Sequence, residues 1–364
     1  MSAPLDFLRL FAGLLRAEGI PFAITSGMAC VHYGLQQTTK DSDWIIPADG
    51  LPALVALLRR KEGELPPWRV SYRQIFGAPL DAEYMAHGWT SHLSIWDQAS
   101  SVEHKVDIFS KPPRVQPEEM LVDADGWVSE HIVAQMKKTD RDKDWPIVDG
   151  LGRRLWRAND PRGLLHLTDV VSLPTAWATT SAAERGIMGR RRPLLRLLDG
   201  GTVDAPRLRG LIGLERLIWE RVNHQRHSRY TRAWKEFYRA WGRGRSWAWP
   251  SSEQFWFQHR ELVKDIRAFG LPADPLAALP RERLVADAGH RTTAAASRGN
   301  AAMNIRAVLS FPQPVLDEAD YEHLARTMGD EAAAWARLPP EEREKEIRWY
   351  HDHFWTPDDL SICP

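Results

Sequence analysis

The sequence has little cysteine. Cys30 and Cys363 are the only two among 364 residues, and they stand near opposite ends of the chain. Two distant cysteines cannot build a disulfide framework, and neither belongs to a Cys-x-x-Cys pair of the kind that binds zinc. This usage is typical of a protein in a reducing compartment, and we expect a cytoplasmic location.

Net charge and long apolar runs are also missing. The 48 basic and 48 acidic residues cancel, so no overall field draws the chain to nucleic acid or to a membrane surface. Asp6, Arg9 and Arg16 interrupt the partly apolar segment 1–20, which lacks the basic start and cleavage pattern of a signal peptide. We therefore expect no membrane partner, and a nucleic acid would have to bind at a local patch.

The spacing of apolar residues predicts an α+β fold. Helices are predicted at residues 4–18, 28–33 and 51–60, and the predicted strands are 22–25, 43–46, WRVSYRQ, SHLSIWDQ and HKVDIFS. After Pro117 helical periodicity dominates, with candidate helices at residues 129–140, 145–157, 205–241, 252–268, 316–337 and 340–353. We expect a first domain, residues 1–158, with a mixed sheet and flanking helices, and a mainly helical C-terminal domain, residues 159–364.

Three aspartates form the candidate catalytic centre. Asp41 and Asp43 stand one residue apart in a predicted strand. Side chains at i and i+2 of a strand share a face, where like charges repel unless a cation lies between them. Asp107, in HKVDIFS, joins them if its strand lies beside theirs. Such oxygen-rich sites suit Mg²⁺ with substrate phosphates, although Asp-x-Asp by itself is also common in solvated turns.

Candidate nucleotide-binding residues surround these acids in the sequence. Ser26 and Gly27 stand where a strand meets a helix, so their amides can hold an anion, and Gly27 lets a phosphate approach the backbone. Lys105 is two residues from Asp107 and shares its face. The other basic candidates are Lys40, Lys137, Arg141 and Lys143. For the last three, the sequence favours a solvated, charged helix end over a phosphate site.

The order of these motifs resembles the nucleotidyltransferase fold of the DNA polymerase β superfamily. Its pattern is a small glycine or serine turn, a spacer, Asp-x-Asp and a third Asp on a later strand, here Ser26-Gly27, TTKDSDWII and KVD. KVD and the later RDKDW look most like the bacterial AbiEii-type toxins and related minimal nucleotidyltransferases. The resemblance covers roughly residues 1–150.

The resemblance implies an enzyme that uses a nucleoside triphosphate (NTP) and two Mg²⁺ ions to transfer a nucleotidyl group to an acceptor hydroxyl. Asp41 and Asp43 would hold both ions, and Asp107 would ligate the catalytic ion and help to deprotonate the acceptor. Ser26 and Gly27 would bind the triphosphate. A toxin role with a cognate antitoxin as partner is implied in the same way.

The sequence departs from the family pattern at three positions. Ser26 stands where the family most often has its first glycine, Ser42 replaces the usual apolar residue within Asp-x-Asp, and Gln37 stands where arginine is frequent. None of these changes removes a predicted metal ligand.

The basic and aromatic segment 221–249 is a candidate acceptor surface for RNA. Arg229, Arg232 and Trp234 illustrate its pattern of cations for phosphates and rings for base stacking. Its rings also recur at helical spacing, which equally describes the buried face of a long helix.

Two alternatives to a toxin-type nucleotidyltransferase stay open on the sequence. One is a non-catalytic descendant of the fold that binds a nucleotide or a partner protein. The other is an antibiotic-modifying nucleotidyltransferase, for which an acidic acceptor pocket rather than a basic surface is expected.

Overall fold

The computed structural model describes residues 3–277, apart from 74, 76, 114, 116, 140, 200–203 and 245–253. The candidate helices at 316–337 and 340–353 lie outside the described residues. Two compact units are present. The first consists of the described residues up to Ile132 together with those from His227 onward, and the second runs from Val133 to Arg226. The predicted domain border after residue 158 stays a prediction.

The first unit is built on a five-stranded mixed sheet. Its strands are β1 (Ala23–Thr25), β2 (Asp41–Ile45), β3 (Trp68–Tyr72), β4 (Thr90–Asp97) and β5 (Val102–Phe109). The strand order is β1-β2-β5-β4-β3, in which β2 and β5 are parallel and the other pairs antiparallel. With its flanking helices, this sheet confirms the predicted α+β class.

Helices α1 (Ala3–Ala17), α2 (Ser26–His32), α3 (Leu51–Gly63), α4 (Ala82–Ala86) and α10 (Phe255–Phe269) belong to the first unit. The second unit contains α6 (Trp145–Arg157), α7 (Ser172–Thr179) and α8 (Ala182–Arg191), while α5 (Glu130–Met136) and α9 (Ala205–Gly244) extend across the border. Short 3-10 helices are Ala48–Gly50, Pro117–Glu119, Asp142–Asp144, Pro161–Leu165 and Pro193–Leu198.

The sequence did not predict α4, α7 or α8. These helices are short, α7 contains Pro174, and α8 is rich in arginine and glycine, so none carries a clear apolar stripe. A mainly helical C-terminal domain stays a prediction. No helix in the described part of the chain has the length and apolarity that crossing a lipid bilayer requires.

One face of the sheet packs into the core of the first unit. Alternate strand residues such as Trp44, Val106 and Leu93 are fully buried, as strand periodicity requires. Helix α1 covers part of this face through Phe11, whose ring meets Trp44 edge-on with 4.9 Å between centroids. The strand residues that alternate with these buried residues, including all three candidate aspartates, point to the opposite face of the sheet.

Candidate active site

A row of polar side chains crosses the sheet on the face opposite the core. Thr25 pairs with Asp43, Asp43 with Asp107, and Asp107 with His92. Arg73, directly after β3, extends the row because its backbone N–H donates to the His92 carbonyl at 2.9 Å. Cross-strand neighbours share a face, so these five residues form one line across the same face of the sheet.

The candidate carboxylates come together in this row. Asp43 and Asp107 are cross-strand neighbours on the parallel strands β2 and β5, which confirms that the two strands are adjacent. Asp41 lies two residues before Asp43 and is paired across the strands with Lys105. All three aspartates are partly exposed, so a solute can reach this patch.

Two donors hold the carboxylate of Asp107. Arg73 Nη1 lies 3.0 Å and His92 Nδ1 lies 2.7 Å from the same oxygen, Asp107 Oδ1. The side chains of Asp107 and Arg73 are only 14% and 20% exposed, so solvent screens this ion pair less than a surface pair. The orientation of Asp107 is therefore fixed by the protein.

Asp41 presents a buried oxygen to the same patch. No described residue donates a hydrogen bond to Asp41 Oδ1. Arg73 Nη1 lies 4.0 Å from this oxygen, which is beyond hydrogen-bonding distance. Burying a carboxylate oxygen without a partner costs free energy, and a bound cation would remove that cost.

These residues fit the chemistry of Mg²⁺. Three aspartates supply the hard oxygen donors that this ion prefers, and their partial exposure leaves room for water and phosphate ligands. In the present arrangement of side chains, the described residues include no group of three or more His, Cys, Asp or Glu arranged to hold a metal.

Ser26 and Gly27 begin α2 directly after β1, as the sequence predicts. Ser26 has φ of +54°, in the left-handed region that favours glycine, and this is the position at which the motif that the sequence resembles most often has glycine. A Cβ built on Gly27 would lie 2.5 Å from Thr39 Oγ1. Gly27 therefore has a packing role, since it allows the segment before β2 to lie against α2.

Of the predicted phosphate-binding lysines in the first unit, Lys40 is exposed just before β2, and Lys105 is partly exposed beside Asp41. Both lie near the acid patch along the chain or across the sheet. Their contact with a nucleotide stays a prediction.

The other predicted phosphate ligands belong to the second unit. Lys137 Nζ lies 3.3 Å from Asp144, to which Arg141 Nε also donates at 2.7 Å, and Lys143 is exposed. Burial alone would raise the pKa of Asp144, but Lys137, Thr139 and Arg141 outweigh it and hold that pKa below its usual value. Lys137 and Arg141 thus have an ion-pair partner within their own unit, and their role toward phosphates stays a prediction.

The candidate acceptor residues lie on α9. Tyr230, Trp234, Phe237 and Trp241 are buried in the core of the first unit. Trp234 is only 5% exposed, so its ring does not offer a surface for base stacking, whereas Arg232 is exposed and Arg229 partly exposed. These rings therefore form the buried face of a long helix. Only the arginines of α9 still support the hypothesis of RNA binding.

Arg73 and His92 are the site residues that the sequence did not reveal. For His92 the sequence holds a signal, the short turn between β4 and β5. This turn pairs Asp97 with Val102, and five residues further from the turn on each strand His92 pairs with Asp107. For Arg73 the sequence holds no comparable signal, because a segment of many residues separates β3 from β4 and does not fix their register.

Comparison with protein-family models, with curated proteins and with solved structures found no match to this chain. Its function has to be inferred from the geometry and chemistry of the site.

Proposed function

We propose that this chain is a magnesium-dependent nucleotidyltransferase, with a nucleotidyltransferase-like first domain, that transfers a nucleoside monophosphate from an NTP to an acceptor hydroxyl. The observation that supports the proposal is the placement of Asp43 beside Asp107 on parallel strands, with Asp41 on the same face. Two adjacent strands thereby bring three oxygen donors to one accessible patch. This is the donor set that the motif resemblance requires.

In the proposed reaction the acceptor oxygen forms a bond to the α-phosphorus of the NTP. The bond between that phosphorus and the oxygen bridging to the β-phosphate breaks, and pyrophosphate leaves. Asp41, Asp43 and Asp107 would hold two Mg²⁺ ions, which when bound stabilise charge on the attacking and leaving oxygens. The proton of the acceptor hydroxyl passes to a carboxylate, for which we propose Asp107.

Positive charge and backbone amides near the acids would bind the triphosphate. Lys105, paired with Asp41 across the strands, supplies a cation on this face of the sheet, and exposed Lys40 directly precedes Asp41 in the chain. Ser26 and Gly27 supply amides at the start of α2. Charges fixed before the reaction stabilise the transition state without reorganisation, which is how such residues accelerate phosphoryl chemistry.

One observation favours a second candidate function, a non-catalytic protein that binds a nucleotide or a partner protein. Arg73 already pairs with Asp107 and approaches Asp41. An internal cation among the acids is what a site that no longer binds metal would contain. The two candidates differ in whether a divalent ion enters the acid patch.

The biological setting is part of the proposal. A toxin-type enzyme with a cognate antitoxin as protein partner follows from the resemblance to AbiEii-type toxins, and a cytoplasmic location follows from the low cysteine content. RNA is the acceptor that the exposed arginine side of α9 favours, since cations of this kind bind phosphates.

A transfer assay tests the proposal. The protein is incubated with each NTP labelled at the α-phosphorus, with Mg²⁺, and with total RNA, aminoglycosides or lysate protein. We expect one pool to be labelled, and Asp43→Asn to lower the rate by about a hundredfold or more. Asp49→Asn, which removes an exposed carboxylate from Ala48–Gly50, is the matched control and should leave labelling unchanged.

Nucleotide binding measured by calorimetry separates the two candidates. Tight NTP binding without transfer to any pool and without pyrophosphate release supports the non-catalytic binder. Transfer that persists in the Asp43→Asn protein contradicts the proposed active site.

A further inference from the structure

The guanidinium of Arg73 occupies the position of a cation among the proposed metal ligands. Its Nη1 lies 3.0 Å from Asp107 Oδ1 and 4.0 Å from Asp41 Oδ1. The side chains of Arg73 and Asp107 are only 20% and 14% exposed, so water screens their attraction little, whereas Asp41 is 40% exposed and is screened more. Arg73 thus neutralises part of a cluster that would otherwise consist of like charges.

An ion and Arg73 cannot both stay at this position. Mg²⁺ binds carboxylate oxygens at about 2.1 Å, so an ion held by Asp41 and Asp107 would compete with Arg73 Nη1, which lies 3.0 Å from Asp107 Oδ1. Arginine stays protonated, so at such a short distance the two cations also repel each other strongly.

Asp107 does not depend on Arg73 alone for its orientation. His92 Nδ1 lies 2.7 Å from the same oxygen that Arg73 contacts, and His92 is fixed on the neighbouring strand β4 opposite Asp107. When Arg73 leaves, His92 still satisfies Asp107 Oδ1. Each carboxylate oxygen of Asp107 then keeps a lone pair for a metal ion, in keeping with the hydrogen bonds that usually support metal-bound carboxylates.

We propose that Arg73 is an exchangeable counter-ion of the acid cluster: it pairs with Asp107 and approaches Asp41 while no divalent ion is bound, and it must withdraw before an ion can bind. The proposal rests on the proposed function and concerns the regulation of the same site. Its consequence is that Arg73 lowers the affinity of the resting protein for divalent ions.

Titration of the full chain with Mn²⁺, without nucleotide, tests the proposal by calorimetry. Arg73→Gln is expected to bind Mn²⁺ at least about tenfold more tightly than the parent protein, because one competing positive charge is gone. Arg69→Gln is the matched control. It removes the same charge from the same face of β3 at an exposed position opposite Trp96, and its Mn²⁺ affinity should equal that of the parent.

Thermal unfolding gives a second, independent measurement. Without metal, Arg73→Gln should unfold about 2–4 °C below the parent, since the ion pair between Arg73 and Asp107 is lost. Added Mn²⁺ should raise its unfolding temperature more than that of the parent, because ligand binding stabilises the folded state in proportion to affinity. Arg73→Met, which keeps an apolar stem, replaces the glutamine variant if that protein does not fold.

The outcomes separate this proposal from the proposed function. If Arg73→Gln and the parent bind Mn²⁺ equally well, and Asp43→Asn weakens both, the exchange is disproved and the metal site stands. If Asp43→Asn leaves the tighter binding of the Arg73→Gln protein unchanged, the ion binds elsewhere and the proposed active site fails. Loss of the gained affinity on adding Asp43→Asn supports both.

Discussion

Gly27 and Thr39 are so close that a Cβ built on Gly27 would lie 2.5 Å from Thr39 Oγ1 and 3.1 Å from Thr39 Cβ. A side chain at position 27 therefore forces α2 or the segment before β2 to shift. Thr39 Oγ1 also donates to the backbone carbonyl of Asp41 at 3.2 Å. The absence of a side chain at Gly27 thus helps to set the position of the first candidate metal ligand.

Gly27→Ala is expected to destabilise the protein by about 1–3 kcal/mol, because an added methyl group in a packed position strains its surroundings. Urea unfolding measures this change. Thr39→Ala removes the closest atom and should restore part of the loss in the double variant. Gly13→Ala is the control: it lies within α1 with nothing within 4 Å of its built Cβ, and alanine there should be neutral or stabilising. Equal effects of the two glycine substitutions would disprove the steric explanation.

Ser42 stands between Asp41 and Asp43, where the Asp-x-Asp motif that the sequence resembles usually has an apolar residue, and the structure explains this difference. The fully buried Trp44 donates its indole N–H to Ser42 Oγ at 3.0 Å, and Ser42 Oγ in turn donates to the Lys105 carbonyl at 3.2 Å. A polar residue between the two aspartates therefore satisfies a buried tryptophan and ties β2 to β5.

Ser42→Ala should lower the free energy of unfolding by about 1–3 kcal/mol, since the Trp44 N–H is left buried without its acceptor. Urea unfolding again provides the measurement. Ser71→Ala, on the opposite face of the sheet and partly exposed, should change stability by less than about 0.5 kcal/mol. A Ser42→Ala protein as stable as Ser71→Ala would show that the Trp44 hydrogen bond contributes little.

Much of the first unit could be predicted from local patterns. The predicted helix 4–18 corresponds to α1 (Ala3–Ala17), and the shared face of Asp41 and Asp43 follows from strand periodicity. The segment HKVDIFS, except its last residue Ser110, likewise lies within β5 (Val102–Phe109). These features depend on neighbours a few residues away, which a single sequence displays.

What could not be predicted depends on pairing between distant segments. Arg73 reaches Asp107 only because β3 lies beside β4 in one register, which no local pattern encodes. The rings of α9 show the other difficulty: their helical spacing with basic neighbours is the same for a buried face and for a stacking surface. Only the packing of Trp234 into the core distinguishes the two.

His259 should make stability depend on pH. Its Nδ1 is hydrogen-bonded to the buried Tyr72 hydroxyl at 2.8 Å, and burial lowers the pKa of His259 to about 4 from its usual 6.5. Between these values the unfolded chain binds the proton and the folded chain does not, so stability present above pH 6.5 is lost as pH falls. The loss is at most about 1.4 kcal/mol per pH unit.

Urea unfolding at pH 7.5 and pH 5 measures this contribution. The parent should lose about 2 kcal/mol from this group between the two conditions, whereas His259→Gln should lose correspondingly less. His32→Gln, which changes an exposed histidine, should keep the dependence of the parent. If His259→Gln loses as much stability as the parent, protonation of His259 is not the cause.

The last prediction concerns the acceptor and uses the arginines of α9 without disturbing its buried rings. Trp234→Ala would remove a core side chain at a cost of about 3–5 kcal/mol, so it cannot report on RNA binding. Arg229→Gln together with Arg232→Gln removes two cations that are partly or fully exposed. We expect weaker RNA binding, a salt dependence reduced by about one to two phosphate contacts, and unchanged NTP binding.

Binding of labelled total RNA at several salt concentrations measures this effect. The matched control is Arg260→Gln with Lys264→Gln, which removes the same charge from exposed positions of α10, 57% and 71% exposed. Because a general loss of positive charge would weaken RNA binding equally in both double variants, only a larger loss in the α9 variant supports a surface on that helix. An α9 variant that binds RNA as the parent does at every salt concentration removes the remaining support for RNA, and a small molecule or a protein then becomes the favoured acceptor.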